Sequence, residues 1–394
     1  MAKISQGFDI RQLPGEPSQK SALLIAPPVY DTQYWSKWSQ PYGLLRIAAL
    51  LSKHGYKRRE LFDFLEVKPG NRIHQHRINP GESYAERDEP TKPIQPHRIS
   101  KPGDPNILEL YRYHFGRAWS EFEDWLDSKG LTANNPPDEI WISAIMTYWW
   151  ESVRDLIARL RRRFGNKPLI ILGGIYPTLA PYHAVEFTKP DLVVVGEVVE
   201  ANDLWTDLSL YDSPPDYAII TPSRGCPYNC AYCAQRTIND SRVRVHFRSV
   251  EDIWSEMLDK YERFGIRDFA FYADFLLWDF ENNFLPLLER IANSKSPVFR
   301  IYAPEGLDVR YLAKSQRLVD ALKAAHLEKV YLPCESIDDE YIQSLNRKHV
   351  RLEHFVRAVR MCEKAGFSLR NMDVNAFLLY GLPEETVDLS LIHI

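Results

Sequence analysis

The chain has 394 residues and only five cysteines, too few for the disulfide framework of a secreted scaffold. No apolar stretch is long enough to span a bilayer. The first residues, Met-Ala-Lys-Ile-Ser-Gln-Gly-Phe-Asp, lack the basic region and apolar core of a secretory signal. An excess of positive charge is also missing. Lys and Arg number 49 against 53 Asp and Glu, a formal net charge of -4, so there is no overall basic footprint for nucleic acid. These absences point to a cytoplasmic chain with no membrane partner, and they weigh against an RNA substrate. What remains is ordinary globular composition, 45% hydrophobic and 26% charged, at a length that allows two or three domains. Aromatics make up 12%, ten of them Trp, and many fall in loops.

Three of the five cysteines, Cys226, Cys230 and Cys233, lie in the run Arg224-Gly-Cys-Pro-Tyr-Asn-Cys-Ala-Tyr-Cys, directly after the apolar strand Tyr217-Ala-Ile-Ile-Thr221. Soft thiolates so close together suit an iron–sulfur cluster or zinc. A closed structural zinc site wants four protein ligands, and no further Cys or His stands at zinc-finger spacing. Three thiolates would hold three corners of a cubane and leave one iron open. Cys334 and Cys362 read as packing residues. The Cys-x3-Cys-x2-Cys spacing, with Tyr232 just before the last cysteine, resembles the cluster loop of the radical S-adenosylmethionine (SAM) superfamily. The resemblance implies a 4Fe-4S cluster on Cys226, Cys230 and Cys233, with SAM on the open iron.

The segment before this loop alternates strand and helix. Expected strands are Ala22-Leu-Leu-Ile-Ala-Pro-Pro28, Glu60 to Leu65, Glu139 to Ala144, Pro168 to Leu172 and Asp191 to Val195. Helices are expected over Pro41 to His54 and Ser152 to Phe164. Near-continuous apolar strands in this pattern predict an α/β fold with a doubly wound, Rossmann-type parallel sheet, its ligands at the carboxyl ends of the strands. A domain over 20–205 follows, interrupted by a long insertion at 67–137. The insertion's first part is rich in Pro, Arg, His and Gly. Its His74-Gln-His76 reads as solvated loop, and Asn106 to Ser128 reads as a helix.

The runs Pro41-Tyr-Gly-Leu-Leu, Ser143-Ala-Ile, Gly173-Gly-Ile-Tyr-Pro-Thr178 and Asp191-Leu-Val-Val-Val-Gly-Glu197 resemble the cobalamin-binding domain that precedes many radical SAM domains. The resemblance implies corrinoid contacts from Ser143, Gly173, Gly174, Gly196 and Glu197. Gly173 and Gly174 would let the backbone approach the nucleotide tail. Tyr148 and Trp149 either pack under the corrin or are buried aromatics at a helix entry. One departure stands out. The loop Asp31-Thr-Gln-Tyr-Trp-Ser-Lys-Trp has no His, so a histidine-ligated cobalt is not expected.

After the cysteines the βα alternation resumes through 213–388, which predicts a partial (β/α)6 radical SAM barrel lacking its last strand. On the resemblance, Tyr232 flanks the cluster and Asp274, in Tyr272-Ala-Asp-Phe275, takes the place of a Gly-Gly-Glu triplet that meets the methionyl amine. Glu335 and Ser336 would meet the SAM ribose, and Gly381 and Glu384 would lie beside the adenine. Arg347 either meets the SAM carboxylate or is an exposed charge at a helix end. The last six residues, Leu389-Ser-Leu-Ile-His-Ile394, are what CTG TCT CTT ATA CAC ATC encodes. They resemble a sequencing-adapter end, which makes 389–394 a non-native tail on an incomplete fragment.

The activity implied is reductive cleavage of SAM and radical modification of an unactivated carbon, with cobalamin-dependent methylation the leading reaction. An electron donor such as flavodoxin or ferredoxin and a small-molecule or peptide substrate would be the partners. A cobalamin-free radical SAM enzyme acting on RNA or peptide, or a non-catalytic iron–sulfur or zinc protein, are the alternatives.

Overall fold

A computed structural model describes residues 3–31, 39–66, 93–97, 110–239, 245–347, 349–386 and 388. The chain divides into two units, Met1–Pro215 and Asp216–Ile394. In the first, β1 (Lys3–Gln6), β2 (Ser21–Ala26) and β3 (Val29–Asp31) precede helix α1 (Tyr42–Lys53). Then come β4 (Arg58–Asp63), β5 (Pro93–His97), β6 (Leu110–Phe115), α2 (Trp119–Ser128) and β7 (Glu139–Ser143). The unit continues with α3 (Trp150–Phe164), β8 (Leu169–Gly173), α4 (Ile175–Leu179), α5 (Pro181–Thr188) and β9 (Leu192–Val195).

Six of these strands form a parallel sheet in the order β1-β9-β8-β7-β2-β4. Successive side chains on a strand point to opposite faces. Leu23, Ile25, Ile140, Ile142, Ile170 and Leu172 therefore join residues of α2, α3 and α5 in one core. Ala22, Leu24, Leu61 and Trp141 point the other way and are buried as well, with α1 packed on β2, β4 and β7. Burial on both faces is why these strands read as unbroken apolar runs. The chain steps from β2 outward to β4 and then back across to β7, so the strand order reverses beside β2 and β7.

Two features differ from the sequence reading. The sheet begins upstream of residue 20, because β1 pairs with Leu192–Val195 of β9. Lys3-Ile-Ser-Gln is too short and polar to announce itself as a strand. The expected helix over Asn106 to Ser128 is corrected: among the described residues of that span only Trp119–Ser128 is helical, and Leu110–Phe115 is a strand paired antiparallel with β3 and β5. The alternating Tyr111, Tyr113 and Phe115 suit a strand, and Gly116 ends it with φ +119. A Cβ at Gly116 would sit 2.7 Å from the Phe64 carbonyl oxygen. His74 and His76, the loop 32–38 and the tail 389–394 lie outside the described residues.

The second unit runs β10 (Tyr217–Ile220), β11 (Ser223–Arg224), α6 (Gln235–Ile238), β12 (His246–Phe247), α7 (Val250–Phe264) and β13 (Asp268–Phe271). It goes on through α8 (Phe284–Asn293), β14 (Arg300–Tyr302), α9 (Val309–Leu312), α10 (Gln316–Ala324) and β15 (Val330–Glu335). Helices α11 (Asp339–Ser344) and α12 (Leu352–Lys364) lead to β16 (Val374–Leu378). Strands β10-β13-β14 form one parallel sheet and β15-β16 another. An isolated parallel bridge links Ile301 to Leu327, just ahead of β15. Successive parallel strands with helical crossovers put every strand's carboxyl end at one edge. Among the described residues no helix is long and apolar enough to cross a membrane.

At the amino edge of the first sheet, Lys20 Nζ lies 2.8 Å from Glu139 Oε1, and both are buried. Tyr56 Oη donates to both Glu139 oxygens and Trp141 Nε1 donates to Oε2 at 3.0 Å. Removing one partner would strand the other charge. Glu139→Ala is therefore expected to destabilise the first unit by about 3–5 kcal/mol, while Lys20→Met with Glu139→Leu restores most of the loss. Urea unfolding of the single and double variants checks this, and a near-neutral single variant would refute it.

Candidate active site

All four residues of β10 are buried, which fixes the point where the cysteine loop leaves the sheet. Cys226 and Cys230 are half-buried, Cys233 is exposed, and all three are free thiols. Burial pushes the Cys226 thiol up to about 11, with the other two thiols and Asp274 adding to it. Cys230 is also raised by burial, against the pull of Arg347. Among the described residues no three His, Cys, Asp or Glu side chains converge as a single ion would require. Three soft thiols spread along one loop fit separate corners of a cluster better than one zinc ion.

Several contacts hold the loop in shape. Ala231 N donates to Leu345 O at 2.8 Å, and Asn346 Nδ2 donates to Asn229 O at 2.6 Å. The Tyr228 ring stacks on His349 with centroids 3.7 Å apart, and its hydroxyl accepts from Arg310 Nη1 at 2.9 Å. Arg310 is gripped in turn by Asp308, Nη2 to Oδ2 at 2.7 Å and Nε to Oδ1 at 3.0 Å. Burial, then Arg310, pushes His349 down to about 4, so its ring is neutral where it stacks. These partners escaped the sequence reading. Asp308 caps α9 through the Arg310 amide, and the Asp-Val-Arg triplet looks like an ordinary helix start.

Asp274 follows β13, beside the loop because β13 pairs in register with β10. Gly225 N donates to its Oδ2 at 2.6 Å, Gln235 Nε2 to Oδ1 at 2.5 Å and Arg224 Nη1 to Oδ1 at 3.2 Å. Asn239 Nδ2 also donates to Oδ2. A carboxylate has about four acceptor sites, so these four donors occupy it. Arg224 and Gly225 open the loop while Gln235 and Asn239 follow it, so one buried side chain closes the loop from both ends. The expected contact of Asp274 with a methionyl amine would have to displace one of these donors.

Tyr232, Glu335 and Arg347 come together. Arg347 Nη1 lies 2.6 Å from Glu335 Oε1 and also donates to Tyr232 Oη. Its Nη2 donates to Pro333 O at 3.3 Å. Arg347 is 8% exposed, which removes the reading of an exposed charge at a helix end. Burial is the largest influence and works against its charge, but Glu335, Tyr232 and Cys230 together outweigh it and the pKa is raised. Among the described residues the buried Arg347 Nε has no hydrogen-bond partner. Glu335 has φ +66 at the register shift where β15 meets β16. A non-glycine residue in that region is strained by about 1–3 kcal/mol, held here by the Arg347 pair. Ser336 is buried beside it, its Oγ accepting from Asp338 N at 3.2 Å. Gly381 and Glu384 lie in the exposed turn after β16, tied to α11 by Tyr341 Oη donating to Pro383 O at 3.1 Å.

In the first unit, Ser143 and Gly173 pair at the carboxyl ends of β7 and β8. Gly174 has φ +106, and a Cβ there would lie 2.3 Å from Ala144 O. The protein's own backbone therefore requires this glycine, whatever binds outside. Thr178 Oγ1 donates to Gly174 O at 2.8 Å and accepts from Gly196 N at 3.0 Å, joining the loops after β8 and β9. Asn202 Nδ2 donates to Glu197 Oε2 at 3.2 Å. The two aromatics part company. Trp149 Nε1 donates to Asp31 Oδ2 at 2.8 Å and the ring packs on Val29, Leu65 and Phe115, whereas Tyr148 is 56% exposed with Ile145 and Met146.

Asp274→Ala removes hydrogen bonds to charge that are worth about 1.5–3 kcal/mol each. It is expected to lower iron per chain after anaerobic reconstitution by at least about threefold, on the scale where about 1.4 kcal/mol is tenfold, with Asp274→Asn intermediate. Wild-type iron loading in Asp274→Ala would show that the loop does not need it. Gly174→Ala is expected to lower the melting temperature of the first unit by several degrees, since about 1 kcal/mol shifts a domain of this size by about 2–4 °C. An unchanged melting temperature would count against the Ala144 clash.

Residues 220–390 match the radical SAM superfamily. An uncharacterized methyltransferase of Pyrococcus horikoshii is 24% identical over 176 residues, which cover 43% of this chain and 34% of that protein. A cobalamin-dependent radical SAM methyltransferase of Streptomyces tokunonensis is 25% identical over 176 residues, 43% of this chain and 24% of that protein. The matched stretch thus spans about a third and a quarter of these two relatives. The crystal structure of methylornithine synthase aligns with 45% of this chain and 49% of its own, at 16% identity and a TM-score of 0.33, too low to bear on the fold. With the cysteine loop and the Tyr232–Arg347–Glu335 group inside the matched stretch, residues 220–390 form a domain of the radical SAM superfamily.

Proposed function

We propose that the chain is the cofactor-binding part of a radical SAM methyltransferase whose first unit holds cobalamin. The observation that carries this reading is the cysteine loop with the buried Arg347, whose Nε lacks a partner among the described residues. A buried guanidinium N–H without an acceptor is costly, and the carboxylate of SAM would satisfy it. When bound, the cluster supplies the electron that cleaves the sulfonium, and the corrinoid supplies a methyl group. The protein's part is placement. Cys226, Cys230 and Cys233 would hold three irons, and Glu335 would keep Arg347 charged and oriented. Ser336 and the turn at Gly381 and Glu384 would meet the ribose and adenine.

Support for a corrinoid in the first unit comes from the carboxyl edge of its sheet. Exposed Ile145, Met146 and Tyr148 follow β7, beside the glycine-rich ends of β8 and β9. Exposed apolar groups at such an edge fit a large flat ligand, with Ser143 and Glu197 as polar contacts. A low-potential electron donor such as flavodoxin or ferredoxin, a small-molecule or peptide substrate and a cytoplasmic setting complete the reading.

Anaerobic reconstitution tests it. The expected outcome is a broad charge-transfer absorption that bleaches with dithionite, release of 5′-deoxyadenosine from SAM, and a corrinoid spectrum that survives gel filtration. Cys230→Ala should abolish the first two and leave the third. Cluster activity without retained corrinoid would favour a cobalamin-free radical SAM enzyme, and stoichiometric zinc without iron would end the proposal.

A further inference from the structure

The cysteine loop has two spacers, and each carries one tyrosine. Tyr228 stands midway between Cys226 and Cys230, and Tyr232 stands between Cys230 and Cys233. Each hydroxyl accepts from a guanidinium that is itself paired with a carboxylate. Arg347 donates to Tyr232 and pairs with Glu335 at the end of β15. Arg310 Nη1 donates to Tyr228 Oη at 2.9 Å, while its Nη2 and Nε hold Asp308 Oδ2 and Oδ1 at 2.7 and 3.0 Å. The Arg310 and Asp308 side chains are 13% and 10% exposed, so water competes little for this pair. Their base is rigid. Asp308 Oδ1 also accepts from Arg310 N at 2.9 Å, Val309 and Leu312 of α9 are fully buried, and Leu307 N donates to Tyr331 O of β15 at 2.8 Å. The Tyr228 ring is enclosed besides, stacked on His349 and edge-on to Phe275 with centroids 5.5 Å apart.

We propose that Arg310 is the positioning residue for Cys226 and Cys230, acting through Tyr228 and independently of SAM. Thiols that meet separate irons need a set separation, and a three-residue spacer has too much backbone freedom to fix it alone. Tyr228 is the spacer's midpoint, so anchoring its hydroxyl constrains both halves. The two clamps differ in one respect. Arg347 is the guanidinium that the SAM-binding reading gives to the ligand, whereas Arg310 is committed to Asp308 and Tyr228 and holds its geometry with no ligand bound. Its planar fork serves the carboxylate and the hydroxyl at once, which an ammonium on a flexible stem does not do. Asp308 compensates its charge, so the role of Arg310 is geometric and not the supply of positive potential.

This inference rests on the reading of the loop as a cluster site, and the measurements separate the two. Wild-type protein, Tyr228→Phe, Arg310→Met, Arg310→Lys and the double variant Tyr228→Phe/Arg310→Met are reconstituted anaerobically and compared without SAM. The readouts are the rate of iron release to a ferrous chelator and the electron paramagnetic resonance spectrum after dithionite reduction. The melting temperature before iron is added serves as the folding control. Tyr228→Phe keeps the ring contacts and removes only the hydroxyl. It is expected to quicken iron release by roughly tenfold, the loss of one charged hydrogen bond, and to shift the g values at an unchanged melting temperature. The double variant should release iron no faster than Arg310→Met, since both changes cut the same link, and Arg310→Lys should resemble Arg310→Met. If Arg310→Met does not fold, Tyr228→Phe decides alone. Wild-type release and spectrum in Tyr228→Phe overturn the proposal, as do additive effects in the double variant. Wild-type behaviour of Arg310→Lys would assign the effect to charge, and a lowered melting temperature in Tyr228→Phe would make the link merely structural; either also overturns it. Wild-type protein that takes up no iron ends the cluster reading and this proposal with it.

Discussion

The second unit depends on one buried carboxylate having its full set of hydrogen bonds. An isolated charge in a protein interior is expensive, so Asp274 is stable only while Arg224, Gly225, Gln235 and Asn239 all point at it. Those donors bracket the three cysteines in the sequence. Satisfying the carboxylate therefore closes the loop, and the loop's shape presents the thiols. β13 supplies the rigid base, since its parallel register with β10 puts Asp274 where the loop begins and ends.

A similar economy governs the Glu335 group. The strand end where β15 shifts register puts a non-glycine residue at positive φ, and the ion pair with Arg347 offsets the strain. Arg347 then reaches Tyr232, one residue before the last cysteine. The end of β15 and the cysteine loop are thus joined by one guanidinium. In the first unit the two edges of the sheet do different work. The Lys20–Glu139 pair with Tyr56 and Trp141 closes the amino edge. Glycines and exposed apolar side chains occupy the carboxyl edge, where a parallel sheet offers its ligand site.

Much of the secondary structure was legible. Helix α3 runs Trp150–Phe164 where a helix over Ser152 to Phe164 is expected, and the central strands of the first sheet announce themselves as apolar runs. The strand Leu110–Phe115 was not legible as such. Its aromatic spacing suits a helix face as well as a strand, and only antiparallel pairing with β3 and β5 decides between them. β1 was silent for a related reason: a four-residue polar edge strand owes its form to its neighbour. In the site, the Asp308–Arg310 clamp on Tyr228 could not be read from a triplet whose partner stands about eighty positions away.

The sequence by itself determined the thiol triad and the βα alternation that sets it at the carboxyl edge of a parallel sheet, because spacing along a chain and apolar periodicity are local properties. Only the tertiary structure decided how each polar group is used. It turned Asp274 inward as the clasp of the loop, buried Arg347 against Glu335, and made Gly174 a requirement of Ala144's backbone. The first and last of these depend on which atoms become neighbours once distant strands align, and the Arg347–Glu335 pair on how the chain folds back through α11 between them.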